Sequence, residues 1–336
     1  MLKGKLLFIC GSLNQTTMMH EISKHFDDYE CMFTPYYADG FVELLRKLDL
    51  LDFTILGGRF KEQTLEYLYS NNLQIDYKGL TGYYDLVFTC SDLIVPKNIR
   101  KSKIILVQEG MTDPENFMYY LVKYLYLPRY LASTSTQGLS KLYHKFCVAS
   151  EGYKNLFIHK GVKEDKIIVT GIPNFDNAKK FTKNNFPFKH FVLAATSDAR
   201  ETFKYENRKK FIQKVLDIAN GRQVIFKLHP NENYVRAIKE INKYAPKALV
   251  LTNGSINEMI ANCDVLITKY SSVVYVGMAL GKEVYSDFCL KKLKELLPTQ
   301  NGGLSANNIA QVGRDLLGEK SISSSIKQYE FNLQVT

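Results

Sequence analysis

Residues 265–285 read VLITKYSSVVYVGMALGKEVY. An apolar run, Val265–Thr268, gives way to Lys269, Tyr270, Ser271 and Ser272; a helix-length stretch continues to Leu280, and a second short run spans Glu283–Tyr285. Two short apolar runs joined by one helix pack as parallel strands with the helix laid across one face. A strand over 265–268, a helix over 272–280 and a strand over 283–285 are therefore predicted, with both serines where strand passes into helix.

Upstream the same alternation recurs, with strands predicted at 192–195, 224–227 and 248–251 and helices near 202–218, 234–244 and 256–261. The first half repeats the pattern, with apolar runs at 6–10, 53–56, 86–89, 104–107, 146–149 and 167–169 and a helix starting near Thr17. This is the signature of two successive α/β domains, each a doubly wound, Rossmann-like parallel sheet. After Gly171–Asn174 the chain turns polar and basic through Lys183–Asn185 before the alternation restarts. The expected division is 1–178, 179–320 and a weakly patterned tail, 321–336. At 336 residues the chain exceeds the usual span of one domain, which agrees with two.

Forty-four basic residues against 34 acidic ones give a formal charge of +10. Nucleotide phosphate, nucleic acid and an anionic bilayer all satisfy that sign. The apolar stretch within Met1–Cys10 is too short for a signal peptide, and no run reaches about 18 apolar residues, so a cytosolic protein is expected. Six scattered cysteines without a CxxC pair read as buried reduced thiols. There is no GxGxxG fingerprint, P-loop, DxD or HExxH, so dinucleotide binding is disfavoured and chemistry without a metal or resident cofactor is expected.

Lys227-Leu228-His229-Pro230-Asn231-Glu232 stands where a strand ends and a helix begins. Open parallel sheets bind ligands at that carboxyl edge. His229 offers two ring nitrogens and Lys227 a cation to phosphate or ribose, while Pro230 pre-sets the turn; a loop-holding histidine is the competing account. Tyr270, Ser271 and Ser272 occupy the same edge, with two hydroxyls for an anion or, alternatively, an N-cap. Ser197, Asp198 and Arg200 follow the first strand of the same domain. Arg200 is expected on phosphate, and Asp198 to orient or react with a sugar, against a plain capped turn.

In the first domain Gln108-Glu109-Gly110 ends the strand 104–107. A strand-end carboxylate suits a base that takes a proton from an attacking hydroxyl; a salt-bridged surface glutamate is the alternative. His20 and Asp113 are weaker candidates for the base. Gly11-Ser12 and Gly57-Gly58-Arg59 are expected at further strand ends. In 117–131, Tyr119, Tyr120, Tyr124, Tyr126 and Tyr130 interleave with Lys123 and Arg129. That stretch fits a packed tyrosine-rich helix or a peripheral contact with an anionic membrane at its inner face. No RRM, KH or helix-turn-helix pattern accompanies it, so a nucleic-acid partner is not expected.

In their order, His229-Pro230 and Ser271-Ser272 resemble the HP and SS motifs of the GT-B glycosyltransferases that use cytidine nucleotides. These are the bacterial sialyltransferases, the capsule Kdo transferases and the teichoic-acid CDP-glycerol glycerophosphotransferases. Ile267–Tyr285 is similar to the last group, although Lys269 and Tyr275 stand where those enzymes carry acids. Phe146–Asp176 resembles the connecting segment of these enzymes and of UDP-GlcNAc 2-epimerases. Gln108-Glu109-Gly110 resembles the acidic motif of the sialyltransferases, with Gln108 in place of the first acid.

The resemblance implies a GT-B-like fold, two Rossmann-like domains facing an interdomain cleft. It implies a metal-independent enzyme that takes a CMP- or CDP-linked donor on the C-terminal domain and transfers a sugar or polyol phosphate to a cell-surface polysaccharide or lipid-linked glycan. Lys227, His229, Pro230, Tyr270, Ser271, Ser272, Ser197 and Arg200 would hold that donor, and Glu109, Asp198 and His229 would act in catalysis. A UDP-GlcNAc 2-epimerase-like enzyme and a non-catalytic glycan or membrane adaptor are the alternatives on the same fold.

Overall fold

The structure, a computed structural model, describes residues 2–52, 54–201 and 205–319. The chain forms two compact units, Met1–Asp176 together with the segment returning from Asn301, and Asn177–Gln300. The first unit begins with β1 (Lys5–Cys10), α1 (Leu13–Ser23), β2 (Glu30–Pro35), α2 (Gly40–Lys47), α3 (Gly58–Ser70) and β3 (Leu86–Thr89). It continues with β4 (Lys103–Val107), α4 (Phe117–Leu125), β5 (Lys145–Val148), α5 (Glu151–Lys160) and β6 (Ile167–Val169). Its six strands lie in the order β2-β1-β3-β4-β5-β6, every pair parallel.

These strands are continuous apolar runs because both faces of the sheet are covered. Phe8 on β1 stacks between Phe33 of β2 and Phe88 of β3, with ring centroids 5.2 and 5.0 Å away, and all three rings are buried. β2 escapes sequence reading: ECMFTP begins with a glutamate, ends in a proline and has only Cys31-Met32-Phe33 as an apolar run. Its pairing with β1, from Lys5–Glu30 to Cys10–Pro35, makes it a strand.

The strand expected at 53–56 is not found. Phe53 lies outside the described residues, and 54–56 turn into α3. Gly57 and Gly58 thus open a helix instead of closing a strand, with Gly58 at φ 50° against the Asp52 carbonyl.

The second unit comprises β7 (Val192–Ala195), α6 (Arg208–Ala219), β8 (Val224–Lys227), α7 (Tyr234–Tyr244) and β9 (Leu249–Leu251). There follow α8 (Ile256–Asn262), β10 (Val265–Ile267), α9 (Val274–Ala279), β11 (Glu283–Tyr285) and α10 (Leu290–Glu295). Its parallel order is β11-β10-β7-β8-β9. The apolar faces of α6 and α7 supply the core on one side: Phe211, Ile212, Val215, Ala237 and Ile241 pack on Val192, Phe226 and Ile267. Thr202, where α6 was expected to open, lies outside the described residues, and the helix starts at Arg208 behind an Asn207 cap.

The last helix, α11 (Ser305–Leu317), corrects the expected division, which put 301–319 in the second domain. It packs on the first sheet through Gly313, where a Cβ would come within 2.9–3.0 Å of Phe88, Leu86 and Phe26. Only a residue without a side chain lets the helix lie that close. Polar contacts fix it at both ends, with Ser305 N donating to Asp176 Oδ2 at 3.0 Å and Arg314 paired with Asp28 at 2.6 Å. The Arg314 guanidinium holds the Asp28 carboxyl well below the usual carboxylate range. The tail 321–336 lies outside the described residues. Among those residues no helix is long and apolar enough to cross a membrane.

Candidate functional site

In the second unit β7 lies between β8 and β10, so the chain leaves the first strand to one side and later returns on the other. That switch point opens a crevice at the carboxyl ends of the three strands. Thr196, His229 and Thr268 follow those ends.

His229 is held from below. Its backbone N–H donates to Thr196 Oγ1 at 3.0 Å and to Glu232 Oε2 at 3.2 Å, and its carbonyl accepts from Glu232 N at 3.0 Å. Asn231 N donates to His229 Nδ1 at 3.3 Å, which leaves the proton of a neutral ring on Nε2. The side chain stays 37% exposed, with Asp198 Oδ2 3.7 Å from Nδ1. Asn231 Nδ2 donates to the same Asp198 oxygen at 3.3 Å, and the Tyr234 hydroxyl donates to Pro230 O at 3.3 Å, steadying the turn.

Beneath this turn Glu232, its side chain 0% exposed, also accepts from the Thr196 hydroxyl and pairs with Arg208. A buried carboxylate is tolerable only with such partners. Sequence reasoning missed Glu232; its signal was an acid three residues past His229, just before the Asn233 cap of α7.

Two expected phosphate cations have partners within the protein. Lys227 is buried, and its Nζ donates to the carbonyls of Leu228 and Thr252 at 2.9 and 2.8 Å, tying β8 to the loop after β9. Burial lowers the pKa of that ammonium. Arg200 Nη1 donates to Glu240 Oε1 at 2.9 Å, with Nη2 3.9 Å from Glu232 Oε1. Ser197 donates to Glu206 Oε2 at 3.1 Å. All three side chains brace the protein through groups that a sequence does not locate.

After β10 the chain passes through buried Thr268 and half-buried Lys269 to Tyr270, 64% exposed, whose ring meets Phe288 edge-on at 4.8 Å. The helix expected from Ser272 begins at Val274 and has six residues, so its dipole adds little. Ser271 Oγ is a distant 3.5 Å from Val273 N, and no side chain caps the helix. Ser271 and Ser272 are both half-buried just beyond the end of β10. Gly277 lets α9 lie against Leu266 and Val284, where a Cβ would come within 2.8 and 3.1 Å.

In the first unit Glu109 follows β4 and is half-buried. Ser12 Oγ donates to its Oε1 at 2.7 Å and Gln15 Nε2 to its Oε2 at 2.6 Å, so the carboxylate is oriented by two neutral groups at the start of α1. Ser12 also caps that helix, accepting from Gln15 N. Gln108 is structural, fully buried and bonded to Ala149 N and Gly110 O. His20 lies farther along α1 against the Tyr67 hydroxyl at 3.0 Å, and burial lowers its pKa. Asp113 accepts from Thr134 Oγ1 at 2.9 Å.

Among the cysteines, Cys289 is exposed and Cys31 half-buried, against the expectation that all six are buried. Backbone N–H groups of Lys292 and Lys291 lower the Cys289 pKa.

No protein-family model matches the sequence, and no curated protein matches it. Solved structures do match in fold. A provisionally assigned UDP-N-acetylglucosamine 2-epimerase from Listeria monocytogenes superposes with a TM-score of 0.59 at 12% identity, over 95% of this chain and 98% of that one. The UDP-GlcNAc 2-epimerase of Neisseria meningitidis, solved with UDP-GlcNAc bound, gives 0.54 at 13% identity, over 92% and 99%. A variant of the wall teichoic acid polymerase TagF gives 0.50 at 12% identity, over 94% and 89%. The chain thus has two Rossmann-like domains of the GT-B kind.

Proposed function

We propose that the chain is a nucleotide-sugar enzyme that moves a sugar or polyol phosphate from a cytidine-type nucleotide donor to a cell-surface polysaccharide or lipid-linked glycan. One observation carries this reading: at the switch point of the second sheet, His229 stands on a buried carboxylate after β8 while Ser271 and Ser272 follow β10, the strand on the other side of β7. An Nε2–H and two hydroxyls are neutral donors suited to phosphate oxygens. The exposed Tyr270 ring offers a face to the base.

In this reading the acceptor hydroxyl attacks the donor, the bond to the nucleotide phosphate breaks, and Glu109 takes the proton. Asp198 is the candidate nucleophile should the configuration be retained. No step uses a metal.

Epimerisation of UDP-GlcNAc is the second reading. It is favoured by the two epimerase neighbours at TM-scores of 0.59 and 0.54. A single experiment separates the two. Cytidine nucleotide released from a CMP- or CDP-linked donor, with a mass gain on the acceptor, supports transfer; ManNAc formed from UDP-GlcNAc supports epimerisation. All donors remaining intact would contradict both.

A further inference from the structure

One face of the first unit is apolar without serving the core. On α4, Tyr119 and Val122 point inward and are buried, whereas Phe117 (76% exposed), Tyr120, Tyr124 (69%) and Leu125 face outward. A surface helix ordinarily carries charge on that side. The residue after it, Tyr126, has φ 55° and ψ 32°, a left-handed cap conformation that favours glycine or asparagine, and its side chain is 92% exposed. The fold gains nothing from a tyrosine there. A bulky residue kept in that conformation points to a role for the ring outside the fold.

α2 repeats the theme. None of its residues is buried, and Phe41 and Leu44 are exposed. The helix is held by charge instead, Glu43 bridging Arg46 at 2.8 Å and Lys78 at 2.7 Å. α2 meets the turn that follows α4, because Val42 of α2 lines a groove of about 330 Å³ with Leu93, Leu127, Tyr130 and Leu142. Asp39 is the one carboxylate on that lining, and its Oδ2 accepts from Lys97 N at 2.7 Å.

Two of the segments around the groove carry only basic charge, whereas α2 and its flanks carry Asp39, Glu43, Asp49 and Asp52 beside Arg46 and Lys47. Residues 93–108 contain Lys97, Arg100, Lys101 and Lys103, and 116–150 contain Lys123, Arg129, Lys141 and Lys145, with no acid in either stretch. Arg129 is committed to Asp92 and Arg100 to the Val95 carbonyl, while Lys97, Lys101 and Lys141 are exposed.

We propose that this face, built from α4, the turn through Tyr130 and α2, docks on an anionic lipid bilayer. The aromatic rings enter the headgroup layer, and Lys97, Lys101 and Lys141 lie against lipid phosphate. A second copy of the chain fits less well, since an isologous contact would set the same cations against themselves. The proposal is independent of the donor site, which lies in the other unit.

The test is sedimentation of the full chain with vesicles of phosphatidylcholine alone or mixed with phosphatidylglycerol. The unaltered chain is expected to sediment with the mixed vesicles at low salt and to be released by high salt. Tyr124→Ser with Tyr126→Ser should lower partitioning about tenfold without lowering the melting temperature, since both rings are exposed. Lys101→Ser and Lys141→Ser should each cost about fivefold on the anionic vesicles. Failure of the unaltered chain to bind the mixed vesicles, equal binding by the tyrosine variant, or a lipid-free dimer abolished by that variant would overturn the proposal.

Discussion

The carboxyl edges of the two sheets carry their chemistry in opposite ways. In the second unit the charge is underneath: buried Glu232 and Arg208 support a turn that presents the uncharged donors of His229, with Ser271 and Ser272 after β10 on the other side of β7. In the first unit the charge is on top, as Glu109 itself is the presented group and the uncharged Ser12 and Gln15 hold it. A substitution beneath the second edge should therefore register as lost stability, and one at the first edge as lost turnover.

The largest effect is expected from Glu232→Ala, which removes one of the two carboxylates paired with buried Arg208, leaving Glu206 alone, and should cost about 3 kcal/mol in urea denaturation. Glu109→Gln keeps the shape of a half-exposed side chain and should leave stability within about 0.5 kcal/mol. Its turnover should nevertheless fall by about 10²–10⁴ in a donor-consumption assay. Equal losses of stability in the two variants would erase the contrast.

Lys227→Met sharpens it further. The variant leaves the Leu228 and Thr252 carbonyls without their donor and should destabilise by about 1–3 kcal/mol. Nucleotide affinity measured by calorimetry should stay within about threefold, because the ammonium faces the protein; a tenfold loss would return Lys227 to the phosphate.

The smallest effect concerns α2. Arg46, and then Lys78, pull the Glu43 carboxyl down to about 2 from an ordinary 4.5. A depressed carboxylate stabilises the fold above its unfolded pKa, so this contribution is full above about 4.5 and is lost as pH falls toward 2. Partial exposure limits it to about 1 kcal/mol. Glu43→Gln should flatten the acid limb of stability by that amount, and an unchanged limb would show that α2 is held otherwise.

Ten of the eleven strands among the described residues were legible, most of them because a strand buried on both faces is an unbroken apolar run, as at Leu6–Cys10 and Val192–Ala195. β2 was not, since pairing with β1 rather than composition makes it a strand. The return of α11 to the first unit was invisible for a similar reason: Gly313 reads as a weak helix residue until the rings of Phe26 and Phe88 are seen beneath it.

At the site, His229 and Ser271 were legible as polar groups at strand ends, where a parallel sheet binds ligands. Sequence gives the charge of Lys227 and Arg200 but not the direction of their side chains, which the fold turns toward the Leu228 and Thr252 carbonyls and toward Glu240. Glu232 was overlooked because its significance lies in burial.

The edge formed by His229, Ser271 and Ser272 is proposed to hold a nucleotide phosphate. Thermal unfolding with CMP, CDP, UDP and GDP measures this directly. CMP or CDP should stabilise the protein, by about 2.7 kcal/mol at a hundredfold excess over Kd. The His229→Ala, Ser271→Ala double variant should melt normally alone and lose that shift. Stabilisation by UDP alone would move the base assignment and leave the site standing; no shift with any nucleotide, or an undiminished shift in the double variant, would contradict the claim.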